Sequence, residues 1–339
     1  MYVFLDRAML DTLGYRDAAL RRALQCCLVR VRRDRYTFTR RCEEEAHASL
    51  QRYAVDEGLT LAADQPGLLG DIERLRRGVA AIRGRQPVGS VLSHTAAALV
   101  HQLPLVTVRE KAVELIVPGR SRRRNGLRVR DRRLPAGHVE ENGGYRVTTP
   151  ARTVADIARD HGLELAVPML DLLLAREEDA EGGAASAMRR AVEAAASVYA
   201  TPAARGSAAK VLAQADERRE SPAESLCAVR FFQHALTGFE PQAEIRGGDG
   251  DLVARVDFLH RGARLIVEVD GLSKYTADGN DRDVSFRAER EREYALRNLG
   301  YMVVRLTWKD LFRAVPFERI RDALVQRERL AERDGLVTR

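Results

Sequence analysis

Apolar and polar positions change period several times along the chain, and each change marks an expected element. LDRAMLDTLG predicts a short helix closed at Gly14, a residue free to take positive φ. Ala18, Leu20, Ala23, Leu24 and Cys27 recur at helical spacing and predict a second, amphipathic helix. LVRVRRDRYTF then alternates apolar and basic residues, as a two-stranded ribbon does. Helix, turn, helix and hairpin over residues 1–45 is the order of a winged helix-turn-helix. Residues 46–85 read as a helical spacer.

Over residues 88–178 the pattern is mixed α/β. SHTAAALVHQL starts a helix at Ser93, KAVELIVP and LRVRDRRL alternate like strands, and Asn125-Gly126 signals a hairpin turn. TTPARTVADIARDHG starts a helix with Thr149 as N-cap and Pro150 at its first position, and residues 163–175 continue as another. Residues 179–215 are alanine-rich and predict a linker with one or two weak helices. From 216 to 330 the order is helix, hairpin, helix, strand, helix, an α/β pattern with a mixed sheet. The chain is therefore expected to be an α/β multidomain protein, and its 339 residues exceed what one compact core holds.

Charge narrows the partners. The net charge is +7, which favours an anionic partner, with nucleic acid first. Nearly all of it is arginine, so clustering is more informative than the total. Met1–Cys42 holds ten arginines against four acids, and Arg21, Arg22, Arg30, Arg32 and Arg33 fall on the second helix and the ribbon. Residues 119–133 hold eight arginines and one acid, with Arg122, Arg123 and Arg124 consecutive. These two clusters are the expected DNA contacts; the competing reading is a solvated basic surface.

Other classes find little support. Cys26, Cys27, Cys42 and Cys227 form no C-x-x-C pair, so neither a zinc site nor a disulfide framework is expected, and free thiols suit a cytoplasmic protein. MYVFLDRAML is not a signal peptide, and no run of 18 apolar residues exists, so no membrane partner is expected. His94 and His101 read as structural. No phosphate-binding glycine motif is present.

The sharpest chemical signal is RVDFLHRGARLIVEVDGLSKY, residues 255–275. With Arg261 and Gly262 as a two-residue turn, Asp257, Glu268 and Asp270 share one face of the hairpin. Carboxylates so placed repel each other unless a metal, an arginine such as Arg255, or water intervenes. Their hard oxygens suit Mg²⁺ or Mn²⁺. Upstream, Ser221 and Glu224 form the S-x-x-E of a capping box.

An Asp on one strand followed by Glu-x-Asp on its partner resembles the PD-(D/E)XK nuclease core. The longer series RVDF, LIVEVDG, KY, DRD and LRNLGYMVVRLTW resembles the very-short-patch-repair-endonuclease-like branch. That resemblance implies a nuclease-like domain over 216–330. In it Asp257 and Glu268 would hold the metal, Glu224 would join from the preceding helix, and Arg287 and Arg305 would face phosphate. The family's lysine is replaced by Asp270, and Lys274 is the nearest substitute. The remaining chain, through SHTAAALVHQLPL and YRVTTPARTVADIARDHG, resembles AbiEi-type antitoxins, winged-helix repressors paired with a toxin. Two functions follow as expectations: a DNA-binding, Mg²⁺-dependent endonuclease, or an antitoxin-like repressor whose nuclease fold is inactive. A protein-interaction scaffold is a third.

Overall fold

A computed structural model describes residues 2–54, 67–124, 126–178, 184–271 and 291–333. Helices and mixed sheets make it an α/β multidomain protein, as the patterning predicts. The chain divides into two compact units, Met1–His161 with Ala191–Ala208, and Gly162–Arg190 with Ala209–Arg339.

The first unit opens with α1 (Arg7–Thr12), capped by the Asp6 carboxylate on the Met9 N–H, and α2 (Asp17–Cys26). Gly14 takes φ +85° between them, a conformation that costs a side chain strain. A hairpin follows, β1 (Leu28–Arg32) and β2 (Arg35–Phe38). Leu10, Leu20 and Ala23 pack with Tyr36 and Phe38, so the inward face of each helix is the one its apolar spacing selects. Helix, turn, helix and hairpin is the expected order. Helices α3 (Ala48–Gln51) and α4 (Leu68–Ala80) come next.

Six short strands then form one sheet: β3 (Val91–Leu92), β4 (Val113–Ile116), β5 (Arg122–Arg124), β6 (Leu127–Arg130), β7 (Val139–Asn142) and β8 (Tyr145–Thr148). Their order is β5-β6-β4-β3-β8-β7, with β4 antiparallel to β3 and parallel to β6. Every residue of β4 is buried, Glu114 included. Helices α5 (His94–Val100) and α6 (Pro150–Asp160) flank the sheet's core. Thr149 caps α6 and Pro150 occupies its first turn, as the sequence predicts.

Helix α7 (Leu163–Glu178) opens the second unit. The alanine-rich stretch folds into two full helices, α8 (Ala184–Ser197) and α9 (Pro202–Gln214). Within the first unit's share of them, Ala195, Ala196, Ala204 and Ala208 pack with Tyr199 against Ala155. Alanine has the highest helix propensity, and its small side chain allows close approach.

The second unit continues with α10 (Pro222–Gln233), β9 (Phe239–Arg246), β10 (Leu252–His260), β11 (Leu265–Asp270), α11 (residues 291–298), β12 (Met302–Thr307) and α12 (Val315–Arg333). The sheet order is β12-β11-β10-β9; only the β11–β12 pair is parallel. Both faces are covered. Phe258 meets Phe231 edge-on at 5.1 Å, and Phe231 also contacts Phe317. Leu259 and Ile266 cluster instead with Leu296 of α11. The β10–β11 register pairs His260 with Leu265, so the turn is four residues, Arg261–Arg264, and not the expected two. Arg264 takes φ +47°, and the His260 Nδ1 accepts the Ala263 N–H at 3.1 Å. A two-residue shift leaves side chains on their original faces, which is why the sorting of acids survives it.

Candidate functional site

The three hairpin acids stand where β10 and β11 part. The ladder's last paired position is Phe258 with Val267. One step beyond it the Asp257 Oδ2, not its backbone, accepts the Val269 N–H at 2.8 Å. The side chain thus takes over a ladder bond as the strands diverge. Glu268 takes the Arg292 Nη2 on both oxygens, at 3.2 and 3.1 Å. It also lies beside Arg305, its register partner on β12, whose guanidinium reaches Glu293 at 3.3 Å. Arg255, the cation expected across the hairpin, pairs with Glu220 at 2.7 Å instead. Among the described residues the cation that meets Glu268 is Arg292 of α11.

Glu224 is buried, and its carboxylate accepts three bonds: Ser221 Oγ at 2.7 Å, the Glu220 N–H at 3.0 Å and Gln242 Nε2 at 2.8 Å. The Ser221 Oγ in turn accepts the Glu224 N–H at 3.2 Å. Ser221 thus caps the helix as expected, while the Glu224 carboxylate closes a variant of the capping box on the Ser221 hydroxyl and the Glu220 N–H in place of the N-cap N–H. Ser221→Ala is expected to lower the stability of the second unit by about 1 kcal/mol, read from urea midpoints. An unchanged midpoint would show that Gln242 and the Glu220 N–H suffice to hold Glu224.

Mg²⁺, which the nuclease resemblance implies, can be tested against these donors. Among the described residues Glu224, Asp257, Glu268 and Asp270 form no group of three or more convergent metal-ligating side chains. Among those same residues Glu268 faces the Arg292 guanidinium and Glu224 accepts from neutral donors, so a divalent ion at these acids would have to displace those partners. Lys274 and Arg287 lie outside the described residues.

The arginine clusters sort by exposure. Arg21, Arg22, Arg30 and Arg33 are exposed on α2 and the hairpin, whereas Arg32 is half-buried. On β5, Arg122, Arg123 and Arg124 are all exposed, yet Arg123 makes a two-point bond to Glu110 at 3.0 and 2.9 Å. Arg123 is thereby tied down, in contrast to its neighbours on the strand.

Two constellations escape the sequence reading. One is the buried network on β4, in which Glu114 accepts from Arg130, His161 and Thr95, while the His94 Nε2 meets Asp160 at 2.8 Å. Burial pushes Glu114 up, but the His94 charge, His161 and Arg130 outweigh it and bring it to about 2. The only sequence signal is a glutamate inside the apolar run VELI. The other brings together Cys26, Cys27, Cys42 and His47, and corrects the expectation of no zinc-type ligand set.

No protein-family model matches the chain, and neither curated proteins nor solved structures provide a match.

Proposed function

We propose that this chain is a DNA-binding regulator. Exposed guanidinium groups of its winged-helix-like start and of β5 contact phosphate, and its nuclease-like second unit does not cleave. The observation that supports the second half is the Arg292–Glu268 ion pair, which puts a cation where a nuclease would need a metal-ready carboxylate. The first half is supported by the exposure of Arg21, Arg22, Arg30, Arg33, Arg122 and Arg124, of which Arg33 stands 3.8 Å from Asp34. Phosphate contacts of this kind release counterions, so affinity falls steeply with salt.

The test is duplex binding by the full chain over a salt series, with a plasmid assay in Mg²⁺ alongside. Binding is expected to weaken with salt, and the plasmid is expected to stay supercoiled. Arg122→Ala and Arg124→Ala should each reduce the log–log salt slope by about 1. Arg123→Ala should leave it unchanged, because Glu110 already holds that side chain. Absent or salt-independent affinity would refute the DNA role. Mg²⁺-dependent nicking that Glu268→Gln abolishes would restore the endonuclease reading.

A further inference from the structure

We infer that Cys26, Cys27, Cys42 and His47 form a structural zinc site in the first unit. The four residues come from three places that folding brings together. Cys26 ends α2 and Cys27 precedes β1; Cys42 follows β2; His47 closes a single helical turn at Glu45–His47. The Cys26 and Cys42 sulfurs are 3.3 Å apart. The His47 Nδ1 is 3.3 Å from the Cys42 sulfur and 3.8 Å from the Cys27 sulfur. All four donor atoms lie within 4.8 Å of one another.

These separations discriminate among the options. A tetrahedral zinc with bonds of about 2.3 Å to sulfur places its thiolates roughly 3.8 Å apart, close to the observed set. A disulfide requires about 2.05 Å, far shorter than the Cys26–Cys42 approach. An iron–sulfur cluster divides its ligands between separate irons, whereas these four donors all lie within 4.8 Å of one another. Cys₃His is a complete tetrahedral set with no position left for water or substrate, which marks a structural and not a catalytic ion. On binding, the three thiols release their protons to solvent.

The surroundings suit the charge. Zn²⁺ with three thiolates carries one net negative charge. The Arg40 Nη2 stands 3.5 Å from the Cys26 sulfur, and its Nε donates to the Cys26 carbonyl at 2.9 Å. The Gln51 amide bridges two ligand residues. Its Oε1 accepts the Cys42 N–H at 3.1 Å, and its Nε2 points to the Cys27 sulfur at 4.0 Å. Cys27 and His47 are buried, while Cys26 and Cys42 line a surface cleft with Arg40 and Glu43 that gives an ion a route in. The ion would fasten the end of α2 to both ends of the β1–β2 hairpin, where the local core is small and a staple contributes most.

The experiment uses the full chain purified under reducing conditions without chelator. Elemental analysis should find one zinc per chain, released by a thiol-specific mercurial. Cobalt in its place should show the intense visible and charge-transfer bands of tetrahedral thiolate ligation. Cys42→Ser should lose the metal, whereas Cys227→Ala, at the buried cysteine of the other unit, should keep it. The cobalt spectrum of the unaltered chain decides the matter even where Cys42→Ser fails to fold. Sub-stoichiometric zinc, an octahedral cobalt spectrum, or a Cys26–Cys42 disulfide in the freshly purified protein would each overturn the assignment.

Discussion

Glu114→Gln is expected to destabilise the first unit by about 3–5 kcal/mol, the cost of leaving a buried ion pair with one partner. Glu114 is completely buried on the central strand β4. Its Oε1 accepts the Arg130 Nη2 at 2.7 Å and Nε at 3.1 Å, and its Oε2 accepts the Thr95 hydroxyl at 2.8 Å. The His161 Nε2 lies 3.1 Å from both oxygens. A neutral amide keeps the shape but takes the nearer charge partner from the half-buried Arg130 guanidinium, leaving it Asp160 at 3.6 Å, and its own N–H groups face donors. Asp160 is coupled to the same cations. Burial pushes it up, but His94, Arg130 and Arg132 hold it far below the ordinary carboxylate range.

The same network sets an acid limit. The folded-state value for Glu114, about 2, lies below its ordinary 4.5. Its contribution is therefore complete above about pH 4.5 and is lost as pH falls through about 2. A difference of that size is worth about 3 kcal/mol. Urea denaturation followed by hydrogen exchange over residues 91–161 should show the unaltered unit weakening from pH 5 to pH 2. The Glu114→Gln unit should weaken less over that range. A loss under 1 kcal/mol at neutral pH would mean that Asp160 alone balances the Arg130 charge and that the network is not the keystone of the sheet.

How much of this was legible beforehand depends on the range of the interaction. Local signals held. Ser221 and Thr149 cap helices, Pro150 sits in a first turn, and Gly14 takes positive φ where the chain reverses. Each depends on neighbours within a few residues, which the sequence displays directly. The β10–β11 turn is longer than its sequence suggests because Arg-Gly resembles a two-residue turn, while the residue that takes positive φ is Arg264, a type that gives no warning.

Side-chain partnerships across long separations were not legible. The acids of the second hairpin were placed on their strands correctly, but the arginine beside Glu268 comes from α11, 24 residues later. The Cys₃His group defeats motif searching because its ligands span a helix end, a hairpin exit and a helical turn. No two of its cysteines show metal-type spacing until the chain folds. Likewise His94 and Asp160 are 66 residues apart, and His94 alone carried no hint of an acid partner.

The second large effect concerns α6. Arg152 and Asp156, one turn apart, are both fully buried, joined Nε to Oδ2 at 2.9 Å. Tyr199 donates its hydroxyl to the other Asp156 oxygen at 2.8 Å, and the Arg152 Nη1 donates to the Arg133 carbonyl at 3.1 Å. The guanidinium groups of Arg152 and Arg159 lie 5.2 and 5.0 Å from the Tyr199 ring centroid, so the aromatic face shares the positive charge. Burial, with the Asp156 charge next, pushes the Tyr199 hydroxyl far up, and it stays a donor at any working pH. Asp156→Asn strands the Arg152 cation and should cost about 3–5 kcal/mol. The double variant Arg152→Met with Asp156→Leu removes both charges and should recover most of that loss, since well-packed apolar side chains often replace a buried ion pair at little cost. Urea midpoints of the single and double variants separate the two explanations. If the double variant is as unstable as the single, the pair's bonds to Tyr199 and Arg133, not its charge balance, fix how α6 packs in the first unit.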